Sequence, residues 1–142
     1  MTGSGVTLRR ARKARLGSKY PTSIRLSASL YSALRSEAER TRRPLSWVIT
    51  ELLEIALRTQ RFPGVVFLAD TLGHRVCVAG TGLEIWEIID LLEQHGSAAA
   101  LSGQHPHLSL EAIHTAEAYA RAYGEEVLAT REMHRRIQNG TL

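Results

Sequence analysis

The apolar positions after residue 20 first alternate with polar ones and then take a helical spacing. Ile24 and Leu26 share one face of a short extended segment, and Ser23 and Arg25 share the other, which is the two-residue period of a β-strand over residues 22–26. Ser27 follows as a typical helix N-cap. The apolar residues beyond it predict a first helix through their three- and four-residue spacing: Leu30, Leu34 and Ala38.

A proline-containing turn separates this helix from a second one. Pro44 restricts the backbone of the residue before it, so the first helix is expected to end near residues 41–43. Ser46 is typical of a second N-cap and predicts a helix over about residues 47–58. Apolar side chains cover more than half of this second helix, which must then be buried nearly all round. About 40 residues cannot bury it alone, which predicts an intertwined dimer of two chains. The predicted dimer core is Ile24, Leu26, Leu30, Leu34, Val48, Ile49, Leu52 and Leu53.

The chain beyond residue 63 predicts a β-hairpin and a group of helices. Two β-rich runs, residues 65–69 and 75–78, flank a loop over 70–74, and Gly80-Thr81-Gly82 forms a turn. A first amphipathic helix is expected over about 83–94, and Ser97 and Ser109 are typical N-caps of two more. The helix after Ser109 is expected to end near residue 123. Its predicted buried residues are Leu110, Ile113, Ala116 and Ala120. A last polar helix, about residues 125–138, is expected to fray or extend into solvent. The predicted fold class is mainly α with short β elements.

Charge divides the chain into two halves. Residues 1–63 carry 13 Lys and Arg against 4 Asp and Glu, a balance of +9, whereas residues 64–142 carry 5 against 10, a balance of −5. The basic half is expected to face a polyanion and the acidic half is not. Residues 1–20 contain no acid and little apolar periodicity, which predicts a flexible basic arm. Two interpretations stay open: an arm that follows the phosphates or enters the minor groove of a nucleic acid, and a solvated tail that adds only non-specific attraction. Its basic residues are Arg9, Arg10, Arg12, Lys13, Arg15 and Lys19.

The remaining composition argues against membrane insertion, cofactor binding and catalysis. No apolar run is long enough for a bilayer, and Cys77 is the single cysteine, which fits a reducing cytosol. The histidines lack zinc-ligand spacing, and Gly80-Thr81-Gly82 lacks the lysine of a phosphate loop. Glu84 and Glu87 are interpreted as ordinary solvated residues. We therefore expect no metal, no cofactor and no catalytic residues.

Residues 21–60 resemble the ribbon-helix-helix fold of bacterial repressors and antitoxins. The resemblance is carried by Thr22-Ser23-Ile24-Arg25-Leu26-Ser27, by Leu30 and Leu34, and by Pro44-Leu45-Ser46-Trp47-Val48-Ile49. It implies a two-stranded ribbon in the DNA major groove with Pro21, Ser23 and Arg25 on its outward face. There Arg25 can fork onto guanine, and Ser23 can donate or accept. It also implies that the start of the second helix holds a DNA phosphate, through Ser46 and the amide of Trp47, assisted by Arg42 and Arg43.

A second resemblance covers much of the acidic half. Residues 73–82, residues 85–89, Pro106-His107-Leu108-Ser109-Leu110 and Tyr119-Ala120 resemble the domain-of-unknown-function family 433. This implies a three-helix, helix-turn-helix-like domain of a kind found among antitoxins. The usual Gly-Thr-Arg turn is Gly80-Thr81-Gly82 in this sequence, so a role of that arginine is not carried over. The acidic balance favours a basic partner, such as a nuclease-like toxin.

These observations predict a homodimeric transcriptional regulator, namely an antitoxin that represses its own operon and holds a toxin. The predicted domains are a basic arm (1–20), a ribbon-helix-helix domain (21–60), an antitoxin-like partner-binding domain (64–124) and a C-terminal helix or tail (125–142). The ribbon would bind double-stranded DNA, and neighbouring half-sites can hold two dimers. One alternative is a repressor or plasmid-partition protein without a toxin. Another is a protein-interaction scaffold whose basic arm merely binds anions.

Overall fold

The structure is a computed structural model that describes residues 20–70 and 73–140. Within these residues the chain forms six helices and one two-stranded sheet, which confirms the mainly α fold class with short β elements. The chain divides into two compact units, Met1–Leu45 and Ser46–Leu142. In chain order the elements are α1 (Ala28–Thr41), α2 (Leu45–Arg61), β1 (Val65–Asp70), β2 (Gly73–Val78), α3 (Ile85–His95), α4 (Ala98–Gln104), α5 (Leu110–Ala122) and α6 (Gly124–Gln138).

Three serines cap helices as the sequence predicts. The hydroxyl oxygens of Ser27, Ser97 and Ser109 each accept a hydrogen bond from the amide three residues later, at 3.2, 3.1 and 3.1 Å. Each bond satisfies one of the amides that a helix leaves without a partner at its start. The starts of α1, α4 and α5 are thus fixed locally.

Ser46 does not cap α2, contrary to the prediction. The helix begins at Leu45, so Ser46 lies inside its first turn, where its carbonyl accepts a hydrogen bond from the Thr50 hydroxyl at 2.9 Å. Pro44 directly precedes the helix, and a residue without an N–H loses nothing at a helix start. The sequence therefore placed the start of α2 two residues too late.

The hairpin is longer than predicted. β1 and β2 pair antiparallel from Val65↔Val78 to Asp70↔Gly73, so Asp70, Gly73 and His74 belong to the strands and not to a loop over 70–74. Gly73 has φ +130°, a conformation that glycine adopts without steric cost. The second strand begins at this glycine.

The core of the second unit lies between the hairpin and helices α3 to α6. Ten buried residues form it: Val65, Val78, Ile85, Ile88, Leu101, Leu108, Ile113, Ala116, Tyr119 and Val127. The prediction was wrong for Leu110, which is 47% exposed. Helical side chains lean toward the N-terminus, so the first residue of α5 projects beyond the helix end and not onto the core.

Helix α6 packs onto the domain, and the expectation that it frays or extends into solvent is wrong. Val127 is buried in the core, and the ring of His134 stacks on Trp86 with centroids 4.7 Å apart. Arg131 forms ion pairs with Asp90 and Glu93 of α3. Helix α6 is thus held by a buried valine together with charged and aromatic contacts. No helix within residues 20–70 and 73–140 combines the length and apolarity needed to span a bilayer.

Candidate functional site

The residues expected to contact bases lie in an extended segment that precedes α1. Pro21, Ser23 and Arg25 are all exposed, and so is Ile24, while Leu26 is half-buried. No strand is assigned between residues 20 and 27 of the single described chain. A ribbon strand needs a second strand for its hydrogen bonds, and here that strand would belong to another chain.

The turn after α1 holds two of the expected phosphate-binding arginines in a specific backbone geometry. Arg42 adopts the left-handed conformation, with φ 55° and ψ 40°. Its amide donates to the Glu39 carbonyl at 3.3 Å, and the Arg43 amide donates to the Ala38 carbonyl at 3.0 Å. This pair of hydrogen bonds is typical of the end of a helix, where the residue in the left-handed conformation is usually glycine. Both arginine residues are exposed.

The other two expected phosphate-binding residues begin the second unit. Ser46 and Trp47 lie in the first turn of α2, and both are exposed. The start of a helix presents backbone amides and the positive end of its dipole, which suits an anion on general grounds. The six basic residues expected in the arm, from Arg9 to Lys19, lie outside the described residues.

One face of helix α2 contacts the rest of the second unit, and the opposite face is exposed. Glu51 and Arg58 contact the rest of the second unit, since Glu51 Oε1 lies 3.1 Å from His74 Nδ1 and Arg58 bonds to Tyr119. On the far side Leu52, Leu53 and Leu57 remain 42%, 55% and 66% exposed. With Ile49 and Ala56 these three leucines form a stripe at i, i+3, i+4, i+7 and i+8, which we call the α2 stripe.

The predicted dimer core is largely uncovered in the single chain. Leu34 and Val48 are buried, whereas Ile24, Leu30, Leu52 and Leu53 are exposed. Leu26 and Ile49 are half-buried. Six of the eight predicted core residues therefore keep apolar surface that the described chain does not cover.

A polar network that sequence analysis missed links α2 to the rest of the second unit. Arg58 Nη1 donates to Tyr119 Oη at 2.8 Å and to Glu126 Oε1 at 2.9 Å, and the Tyr119 hydroxyl donates to Glu126 Oε2 at 2.9 Å. The Arg58 guanidinium also lies 3.9 Å from the centre of the Tyr123 ring. The available signal was Arg58 within a helix predicted to be buried nearly all round, because a largely buried charge requires a partner.

Burial and hydrogen bonding shift the pKa values of this network. Burial raises the pKa of Tyr119 above its ordinary range, and its hydrogen bond to the Glu126 carboxylate raises it further, with a smaller opposing effect of Arg58. Burial alone would lower the pKa of Arg58, but its bonds to Glu126 and Tyr119 outweigh that effect and raise it. The network therefore consists of a neutral tyrosine between a charged arginine and a carboxylate.

Glu84 is buried, contrary to its interpretation as a solvated residue. It directly precedes α3 and pairs with Cys77 of β2 through a β-bridge, and its side chain is 8% exposed. Its amide donates to the Glu87 carboxylate at 2.8 Å, a contact that stabilises the helix start. Both glutamates thus have structural roles at this end of α3.

The histidines and the cysteine do not form a metal centre in the described part of the chain. The rings of His95, His105 and His107 lie close together, with centroids 5.3 and 5.7 Å apart. Within residues 20–70 and 73–140, however, no three His, Cys, Asp or Glu side chains are placed to hold one ion. Cys77 is buried in β2, and burial raises the pKa of its thiol.

Comparison with known proteins gives one match. Residues 65–120 match the model of a family described as "Protein of unknown function (DUF433)", from the first residue of β1 into α5. This finding supports the second resemblance noted in the sequence, and the match does not extend to the residues before Val65. No curated protein matches the chain, and no solved structure matches it.

Proposed function

We propose that the chain is a dimeric, sequence-specific DNA-binding regulator whose two copies pair through the α2 stripe and a shared ribbon. The observation that carries this proposal is the stripe itself, an apolar surface on α2 that the described chain leaves uncovered. The exposed segment with Ser23 and Arg25 just before α1 supports it, since a ribbon strand needs a second chain.

The size of the stripe favours a second copy as its cover. Full burial of one leucine is worth about 1.5–3 kcal/mol. Leu52, Leu53 and Leu57 are about half exposed, so six such residues in a dimer contribute roughly 5–9 kcal/mol. That amount is comparable to the association cost of about 4–15 kcal/mol, and Ile24 and Leu30 add to it.

The charge division supports DNA as the ligand of the basic half. Neutralised phosphates supply most of the affinity of such proteins, and the balance of +9 lies in residues 1–63. In the proposed complex Ser46, the Trp47 amide, Arg42, Arg43 and the basic arm contact phosphates. Pro21, Ser23 and Arg25 face the bases, and Arg25 provides about 1–3 kcal/mol of discrimination for one guanine.

For the acidic half we propose binding of a basic protein partner, with the chain acting as the antitoxin of a type II toxin–antitoxin pair that represses its own operon. The balance of −5 over residues 64–142 supports a basic partner such as a nuclease-like toxin. The rival proposal is a repressor or partition protein without a toxin. A neighbouring gene for a small nuclease-like protein would favour the antitoxin.

The decisive experiment is selection of bound duplexes from a random DNA pool at near-physiological salt. The wild type should enrich a short palindromic motif, and Arg25→Ala should lose one base preference at a cost of about 1–3 kcal/mol. Arg35→Ala on α1, with the same loss of charge, should retain the motif. If no variant enriches a motif, the interaction scaffold becomes the better explanation.

The dimer is tested separately by Leu53→Glu. A charge in the α2 stripe should convert dimers into monomers in sedimentation equilibrium and weaken operator binding. Leu128→Glu is the matched control, because Leu128 is exposed to a similar degree on α6 and lies outside the stripe. A Leu53→Glu protein that remains dimeric would rule out this interface.

A further inference from the structure

The two edges of the hairpin have different surroundings. On the outer side of β2, the Val78 amide donates to the Leu83 carbonyl at 3.2 Å. On the same side, Cys77 pairs with Glu84 through a β-bridge. On the outer side of β1, no further strand is present within the described residues, where the sheet consists of β1 and β2. The chain thus covers part of one edge of the hairpin with its own backbone and adds no strand to the other.

The hydrogen-bond pattern identifies the backbone groups on the outer edge of β1. In an antiparallel pair, residues that bond across the pair alternate with residues that direct their amides and carbonyls away. The Ala79 amide donates to the Gly64 carbonyl at 2.8 Å, in the same register as Val65↔Val78. The even-numbered residues of β1 therefore bond to β2, and the odd-numbered ones direct their backbone groups outward. We call the backbone groups of these odd-numbered residues the β1 edge: Val65, Phe67 and Ala69.

Two amides of the β1 edge have no hydrogen-bond partner among the described residues. The Val65 amide donates to the Phe62 carbonyl at 3.0 Å. The amides of Phe67 and Ala69 make no such bond within residues 20–70 and 73–140. Backbone amides and carbonyls are strong hydrogen-bonding groups, and an uncovered row of them is a template for a further strand. The β1 edge can therefore accept another strand without breaking a bond that the chain already makes.

The sequence of β1 does not protect this edge. Proteins usually protect an edge strand with a charged side chain, a proline or a bulge. Residues 65–69 are all apolar, and their register with β2 is continuous. The Phe67 ring lies against the core, with its centroid 6.4 Å from that of Tyr119, whereas Leu68 on the other face is 48% exposed. Over these residues the strand has none of the three protections, which favours an edge that another strand covers.

We propose that the β1 edge pairs antiparallel with the β1 edge of a second copy of this chain. A two-fold axis at Phe67 sets this residue opposite Phe67 of the second copy, and Val65 opposite Ala69 of the second copy. Each Phe67 amide then donates to the other Phe67 carbonyl, and each Ala69 amide donates to a Val65 carbonyl. Every amide that the β1 edge leaves without a partner is thereby bonded. The Val65 amide, which Phe62 already accepts, is not needed.

The side chains favour a second copy as the occupant. In this register Leu68 lies opposite Val66 of the second copy, so apolar side chains of both copies form one row on the exposed face. Asp70 lies opposite Gly64 of the second copy, so the pairing places no like charges together. A single strand pair is smaller than a standard interface of about 1,200–2,000 Å², and contacts below that size are typically weak. We therefore expect the pairing at high protein concentration, and it depends neither on DNA nor on the α2 stripe.

Sedimentation velocity of the full chain over a rising protein concentration is the first test. At low micromolar concentration the species present, dimer or monomer, reports on the α2 stripe alone. Toward millimolar concentration the mass of that species should double. Leu68→Lys places a charge in the apolar row of each copy, so it should abolish the doubling and leave the low-concentration species unchanged. Leu110→Lys is the matched control, because Leu110 is 47% exposed on α5, and this variant should still double.

A second variant and a second measurement test the register. Ala69→Pro removes an outward amide that makes no bond to β2, and proline is tolerated at such positions of edge strands. It should weaken the doubling about tenfold or more. In hydrogen exchange followed by NMR, the Phe67 and Ala69 amides should exchange about tenfold or more slowly at high concentration than at low concentration. The Val65 amide, bonded within its own chain, should not respond to concentration.

The proposal fails if the wild type does not double in mass, and the β1 edge is then left to a strand of another protein. It fails equally if Leu68→Lys doubles as the wild type does, or if Leu110→Lys loses the doubling as well. Exchange of the Phe67 and Ala69 amides that is independent of concentration would also overturn it. None of these outcomes bears on the α2 stripe, which the species at low concentration tests separately.

Discussion

Removal of the Tyr119 hydroxyl tests the network that links α2 to the rest of the second unit. In Tyr119→Phe the ring keeps its edge contacts with Phe62 and Phe67, at centroid distances of 5.3 and 6.4 Å. The substitution removes two hydrogen bonds, one accepted from Arg58 and one donated to Glu126. Only the polar part of the contact changes, so the loss of stability measures that part.

The magnitude of this loss follows from the charges and the exposure. Hydrogen bonds to charged groups are worth about 1.5–3 kcal/mol each. Arg58 and Glu126 still bond to each other in the variant, and the Glu126 side chain is 46% exposed, so water replaces part of what is lost. We therefore expect Tyr119→Phe to lower the free energy of unfolding by about 1–2 kcal/mol.

Urea denaturation at fixed protein concentration, monitored by circular dichroism, is the appropriate assay. Tyr123→Phe is a matched control, because Tyr123 packs beside Tyr119 with ring centroids 4.9 Å apart but its hydroxyl makes no hydrogen bond in the described structure. We expect this control to change stability by less than about 0.5 kcal/mol. Equal effects of the two variants would refute the assigned role of the Tyr119 hydroxyl.

Three further predictions concern local features of the helices. Arg42→Gly should raise the free energy of unfolding by about 0.5–1 kcal/mol in urea denaturation, since glycine relieves the left-handed strain, and Arg42→Ala should give no such gain. Glu87→Ala should lower it by about 1 kcal/mol through loss of the acceptor for the Glu84 amide, and a failure of Glu87→Gln to recover stability would contradict that cause. The hydrogen bond from Arg131 lowers the pKa of Glu93, so the pair stabilises the fold at neutral pH and loses that effect as the pH falls through this lowered pKa. Arg131→Gln should return the pKa of Glu93 toward its ordinary value in a carboxyl ¹³C NMR titration, and an unchanged pKa would contradict the pairing.

Features set by neighbouring residues were predictable from the sequence. The caps at Ser27, Ser97 and Ser109 depend on atoms three residues apart, and all three are confirmed. The Gly80-Thr81-Gly82 turn is also confirmed, and there the Thr81 hydroxyl donates to the Val78 carbonyl at 2.7 Å. Such features can be predicted from the sequence because the donor and the acceptor of each hydrogen bond lie within one turn of chain.

Features set by distant residues were not predictable in the same way. Glu84 was interpreted as solvated because no local pattern indicates its bridge to Cys77 or the approach of His134, whose Nε2 lies 3.9 Å from its carboxylate. The packing of α6 was missed because Arg131 finds its acids on α3, 38 or more residues earlier. A helix of polar composition can therefore pack onto a domain through contacts that the spacing of its apolar residues does not indicate.

Helix α2 lies before the predicted domain boundary near residue 60, yet it contacts residues beyond that boundary. Its pattern predicts burial on all sides, and the described chain covers one side only, through Glu51, Ile55 and Arg58. The far side holds the α2 stripe, which remains exposed until something apolar covers it. In the proposed dimer the same rigid helix would therefore contact the second copy on one side and the Tyr119–Glu126 pair on the other.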